Sequence, residues 1–112
     1  MEEQVRRADE LARTVADYLA REGLPFAYEL DSYDHGCMVH IDLGENDGFT
    51  FTVARADPFG SIEILDPGDY HVSPGTLPLY VLLRAQGAPP GTAWKAALKA
   101  DAPKRRRWHR RV

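Results

Sequence analysis

The feature that most constrains the fold is a change of hydrophobic period at residues 23–26. Upstream, Val5, Ala8, Ala12, Val15 and Leu19 recur at spacings of three and four, with Leu11 and Tyr18 beside them. That spacing puts one apolar stripe on a helix and predicts an amphipathic helix over residues 4–22. Glu2 and Glu3 suit the positive end of its dipole. Gly23 tolerates the left-handed conformation after a last turn and Pro25 cannot continue a helix, so the stop is marked twice. From Phe26 onward the period is two: Phe26, Tyr28 and Leu30 alternate with Ala27, Glu29 and Asp31, as in a half-buried strand.

The period of two persists downstream. Cys37, Val39, Ile41 and Leu43 face one way and Met38, His40 and Asp42 the other. Gly44-Glu45-Asn46-Asp47-Gly48 is rich in residues that accept positive φ, and it leads into Phe49, Phe51 and Val53 alternating with Thr50 and Thr52, which predicts a hairpin. Asp57-Pro58-Phe59-Gly60 is a further turn, and Ser61–Leu65 a fourth strand before Asp66-Pro67-Gly68. Whether this last strand pairs on through Tyr70-His71-Val72 is left open by the pattern.

After His71 the pattern changes again. The apolar run from Leu77 predicts a helix over 77–86, with Thr76 as its cap, Pro78 in the first turn and Gly87 at its end. Thr92 is placed to cap a short helix through Trp94 and Leu98 that Pro103 ends. The expected fold class is therefore α+β: an N-terminal amphipathic helix packed on a four-stranded antiparallel sheet, two short C-terminal helices and a basic tail. Phe26, Tyr28, Val39, Ile41, Phe49, Phe51, Ile62 and Ile64 form the sheet side of the core. A chain of 112 residues can bury one core without disulfides or metal, so residues 1–103 are read as a single domain and 104–112 as a flexible tail.

Charge divides along the same line. Residues 1–103 hold 8 Lys and Arg against 17 Asp and Glu, a net of −9, whereas 104–112 hold six cations and no acid. Arg outnumbers Lys eleven to three, a bias that accords with a GC-rich bacterial genome. The single Cys37 excludes an internal disulfide and a multi-cysteine zinc site and suits a reducing compartment. The acidic start Met1-Glu2-Glu3-Gln4 is unlike a signal peptide, and no apolar run reaches the length of about 18 residues that spans a bilayer, so a cytoplasmic protein without a membrane role is expected.

The candidate chemistry is sparse. His35, Cys37, Met38, His40 and Asp42 are all metal-ligand types, but alternation in a strand sends Cys37 inward with Val39 and Ile41 while His40 and Asp42 point away. They converge on a metal only if His71 or Glu63 joins from another strand. The calcium-loop spacing fails at Leu43, and phosphate-binding glycine loops and serine elbows are missing from the sequence. A small hydrolase using His40 with Asp42 stands as a third reading, although a solvated sheet face lacks a pocket to shift their pKa values. No cofactor, metal site or catalytic residue is therefore assigned, and the expectation is a non-enzymatic binding or adaptor protein.

Two surfaces are available for binding. Lys104, Arg105, Arg106, Arg107, Arg110 and Arg111 would meet nucleic-acid phosphates with low sequence specificity, and neutralising six of them on a duplex implies a log–log salt slope of about −5. Trp108 is placed to stack on an unpaired base. Glu29, Asp31, His40, Asp42 and Glu63 would instead make an acidic sheet face that masks a basic protein, as an immunity-type inhibitor or a secretion chaperone does. Nucleic-acid contact through the tail is the leading expectation and the acidic face its alternative.

Overall fold

The computed structural model describes residues 3–24, 26–44, 47–54 and 61–110, with side chains described as far as Ala100. Helix α1 (Glu3–Arg21) precedes strands β1 (Ala27–Tyr33), β2 (Gly36–Gly44), β3 (Asp47–Ala54), β4 (Ile62–Leu65) and β5 (Asp69–Val72), followed by helices α2 (Leu77–Ala85) and α3 (Pro90–Arg110). The class is α+β, as the two periods require.

The α1 stripe is buried at Ala8, Ala12, Val15 and Leu19. Two alanines in its middle let the helix axis approach the sheet closely. The helix ends in a Schellman turn: Gly23 has φ 74°, its N–H reaches Ala20 O at 3.0 Å, and Leu24 N–H reaches Leu19 O at 2.9 Å. Helix α2 ends the same way through Gly87 (φ 98°), with Gly87 N–H bonded to Arg84 O and Ala88 N–H to Leu83 O.

The strands form an antiparallel meander in the order β1-β2-β3-β4-β5. There are five strands where sequence reading counted four. The fifth is the Tyr70-His71-Val72 stretch, which turns back at Asp66–Gly68 and pairs Ile62 with Val72 and Ile64 with Tyr70. At four residues it is too short to carry a periodic signal of its own. The Asp57–Gly60 turn lies outside the described residues.

One sheet face carries Leu30, Val39, Phe51, Ile64 and Tyr70 in one cross-strand row and Cys37, Val53, Ile62 and Val72 in the next. Val39, Phe51, Ile62 and Ile64 are fully buried there with Val15, Leu19, Leu77, Tyr80 and Val81 from the helices. Phe26 and Tyr28 are partly buried at the margin of this core, and the Tyr28 hydroxyl donates to Asp9 Oδ1 at 3.3 Å. All three helices contribute to this one side, so the other face of the sheet is left open by the described residues.

One helix cap and both ends of α3 differ from expectation. Thr76 occupies the cap position of α2 without a side-chain cap bond, because its hydroxyl pairs with Ser73 Oγ at 2.8 Å. Helix α3 starts at Pro90, two residues before Thr92, with the Pro89 carbonyl accepting Ala93 N–H at 2.9 Å. A proline in the first turn loses no hydrogen bond, so Pro90 serves where Thr92 was expected. Nor does Pro103 end α3. It forfeits the bond to the carbonyl four residues back, yet the Ala-, Lys- and Arg-rich sequence around it has high helix propensity and carries the helix to Arg110.

Candidate protein-docking surface

The open face is built by strand register. One row across the sheet runs Glu29, His40, Thr50, Leu65, Asp69, and the adjacent row runs Asp31, Met38, Thr52, Glu63, His71. Asp42 lies between Ala27 and Gly48 in the row beyond. Glu29, Asp31, His40, Asp42 and Glu63, the residues singled out from sequence, therefore share one face, and the structure adds Asp69 and His71 from β5. Acids stand on β1 and on β4 and β5, with Asp42 toward the end of β2, around a strip of Met38, His40, Thr50 and Thr52. The strands contain no Lys or Arg among the described residues.

Local bonds hold this surface in shape. His40 Nδ1 lies 2.8 Å from Thr50 Oγ1 and its Nε2 lies 3.5 Å from Asp31 Oδ2, so the imidazole bridges β1, β2 and β3. The Thr52 hydroxyl donates to the Glu63 carbonyl at 3.3 Å, tying β3 to β4. Asp42 Oδ1 accepts Gly44 N–H at 2.8 Å and braces the hairpin beside a bulge in β2. At the β5 edge the Trp94 indole N–H donates to the His71 carbonyl at 3.1 Å, capping an edge group that would otherwise face water.

Glu63, Asp69 and His71 converge, their ligand-type atoms lying within 4.8 Å of one another. His71 Nε2 is 3.6 Å from Asp69 Oδ1 and 4.0 Å from Glu63 Oε2. Burial pushes the Glu63 carboxyl above its ordinary range, the neighbouring Asp69 raises it further by hydrogen bonding and repulsion, and His71 opposes both. A metal among the His35–Asp42 residues required His71 or Glu63 to join them; instead these two meet each other and Asp69 on β4 and β5, away from Asp42. His40 and Asp42 lie on the opposite side of the sheet from the buried Cys37, as strand alternation leads one to expect. Burial pushes the Cys37 thiol up, which makes it a core residue and a poor nucleophile.

A second polar cluster, on the helix side, was missed by the sequence reading. Arg84 donates to Asp66 through Nε (2.6 Å) and Nη2 (3.0 Å), to Asp47 Oδ1 through Nη2 (3.0 Å) and to the Ala88 carbonyl through Nη1 (3.1 Å). The Tyr80 hydroxyl donates to Asp66 Oδ2 at 2.5 Å, and its ring packs edge-on against Phe49. The Asp66 side chain is 1% exposed and that of Arg84 8%. Burial and the Asp66 carboxylate beside it push the Tyr80 phenol up, while its bonds to Asp66 and Asp47 hold Arg84 charged. The signal was present: Arg84 is the one charge in the apolar run 77–85, and a buried guanidinium needs a carboxylate. This cluster is saturated by its own members and locks α2 to the β2–β3 and β4–β5 turns.

The tail residues Lys104, Arg105, Arg106, Arg107, Trp108 and Arg110 ride on the last turns of α3; their side chains, and Arg111 altogether, lie outside the described residues. No helix among the described residues is long and apolar enough to cross a membrane. Comparison with family models, curated proteins and solved structures finds no match to the chain.

Proposed function

We propose that the protein is a non-enzymatic binding protein whose open acidic sheet face docks and masks a cationic protein surface. The observation that supports this reading most is the asymmetry of the sheet: three helices on one face, and on the other Glu29, Asp31, Asp42, Glu63 and Asp69 with no Lys or Arg among the described strand residues. Like charges gathered on a rigid face repel one another and give up part of that repulsion when a cationic partner covers them. The strip of Met38, His40, Thr50 and Thr52 between the acids, with Thr52 buried, offers the less hydrated centre that interfaces use, and the acids form its rim.

Nucleic-acid contact through Lys104–Arg111 rests on the basic run in the sequence and forms the second arm of the test. The experiment is fluorescence anisotropy of full-length protein against a labelled Lys–Thr alternating peptide and, separately, labelled single-stranded RNA. The reading expects salt-sensitive binding of the peptide that is lost in an E29K/D31K/D69K variant. Peptide binding unchanged in that variant contradicts it, and RNA binding that survives in the variant but fails when the tail cations are replaced by Gln assigns the tail to nucleic acid.

A further inference from the structure

We propose that the cationic partner of the open face is a second copy of this chain, whose basic run Lys104–Arg111 lies across it. This rests on the reading of the face as a docking surface for cations and names the occupant. Charge complementarity comes first. Within one sequence, a body of net −9 is joined to nine residues of net +6, and helix α3 alone carries seven Lys and Arg against one Asp. The strands have the opposite balance, with six acids and no cation, and the one strand acid turned to the helix side, Asp47, is already paired with Arg84.

The placement of α3 then decides between the chain's own face and that of a neighbour. Ala93 and Ala97 are buried in the core, and Ala97 and Ala100 line the same shallow groove as Tyr18, Pro78 and Leu79. Helix α3 thus runs in the helical layer, with the sheet between it and the open face. It continues unbroken to Arg110, so the ten residues beyond Ala100 extend about 15 Å further at the helical rise. A helix that leaves from one side of a two-layer molecule cannot fold back over the other side without breaking, but it can reach the face of another molecule. Such a tail-on-face contact joins two different surfaces, so it closes as a reciprocal pair or ring or else propagates. Because it is held by exposed charge, it weakens steeply with salt.

The test is sedimentation of full-length protein with two charge variants, each designed to keep the fold. In the first, Lys104, Arg105, Arg106, Arg107, Arg110 and Arg111 are each changed to Gln. In the second, the exposed Glu29, Asp31 and Asp69 are each changed to Lys. The wild type should sediment above monomer mass at low salt and as monomer at high salt, and each variant alone should be monomeric in both. A mixture of the two should restore a heterodimer, since one supplies the intact face and the other the intact tail, and far-ultraviolet circular dichroism of each checks that it is folded. A wild type that is monomeric at low salt overturns the inference, as does association that survives in either variant alone or a mixture that stays monomeric. If the monomeric wild type still binds the Lys–Thr peptide on its face, the self-docking inference fails and the cation-docking reading stands; if it binds neither, both fail.

Discussion

The two sides of the sheet treat charge in opposite ways. On the helix side, Asp66 and Arg84 are almost wholly buried; the guanidinium and the Tyr80 hydroxyl both donate to Asp66, and the guanidinium also to the Ala88 carbonyl, at 2.5 to 3.1 Å. On the open side, His71 stands 3.6 Å from Asp69 and 4.0 Å from the half-buried Glu63, two carboxylates to one imidazole. The same residue types are matched within the fold in one place and left unbalanced at the surface in the other. A buried ion pair must be complete because an unmatched charge there is costly, whereas water tolerates an unbalanced cluster. Incompleteness in the open cluster is therefore a better sign of function than the strength of any bond in the closed one.

Breaking the closed cluster should give the largest effect. Arg84→Met leaves the Asp66 carboxylate buried without its cation and should cost about 3–5 kcal/mol in urea denaturation; a loss under about 1 kcal/mol would mean that water reaches Asp66. Tyr80→Phe removes one donor to Asp66 while keeping the ring against Phe49, so a smaller loss, about 1–3 kcal/mol, is expected by the same measurement. On the open side the E29K/D31K/D69K variant should unfold within about 0.5 kcal/mol of the wild type while losing about tenfold or more in affinity for the Lys–Thr peptide. A variant that loses stability and keeps affinity would reverse the roles given to the two sides.

The smallest effect belongs to Glu63. Its folded-state pKa is raised, so its ionised form is disfavoured by folding, and the group costs stability above that pKa and ceases to do so as pH falls through it. Glu63→Gln should therefore raise the melting temperature slightly at neutral pH, by an amount equivalent to about half a kcal/mol or less, with the gain vanishing toward acid pH. A variant less stable than the wild type at neutral pH would show that His71 outweighs burial and Asp69.

Much of this was legible in the sequence where one period runs long enough to be read. The α1 stripe, the Gly23 stop and the inward set Val39, Ile41, Phe49 and Phe51 all follow from spacing, and with them the outward placing of Glu29, Asp31, His40 and Asp42. What was illegible depends on partners distant in the chain. Strand β5 has four residues and is specified by its pairing with β4, so Asp69 and His71 could not be assigned to the face from their own neighbourhood. Arg84 and Asp47 meet across 37 positions, a contact no local pattern encodes. Pro103 misled in the opposite sense, because a strong local breaker was overridden by the helix formers around it.

The most direct test of the central claim is a nuclear magnetic resonance titration of nitrogen-15-labelled full-length protein with the unlabelled Lys–Thr peptide. Amide shifts should concentrate at Glu29, Asp31, Met38, His40, Glu63, Asp69 and His71, leaving the α1 residues Ala8, Ala12 and Val15 and the Arg84 cluster unmoved, and should vanish at high salt. Shifts confined to the helices, or none at all at low salt, would contradict the assignment of the open acidic face as the binding surface.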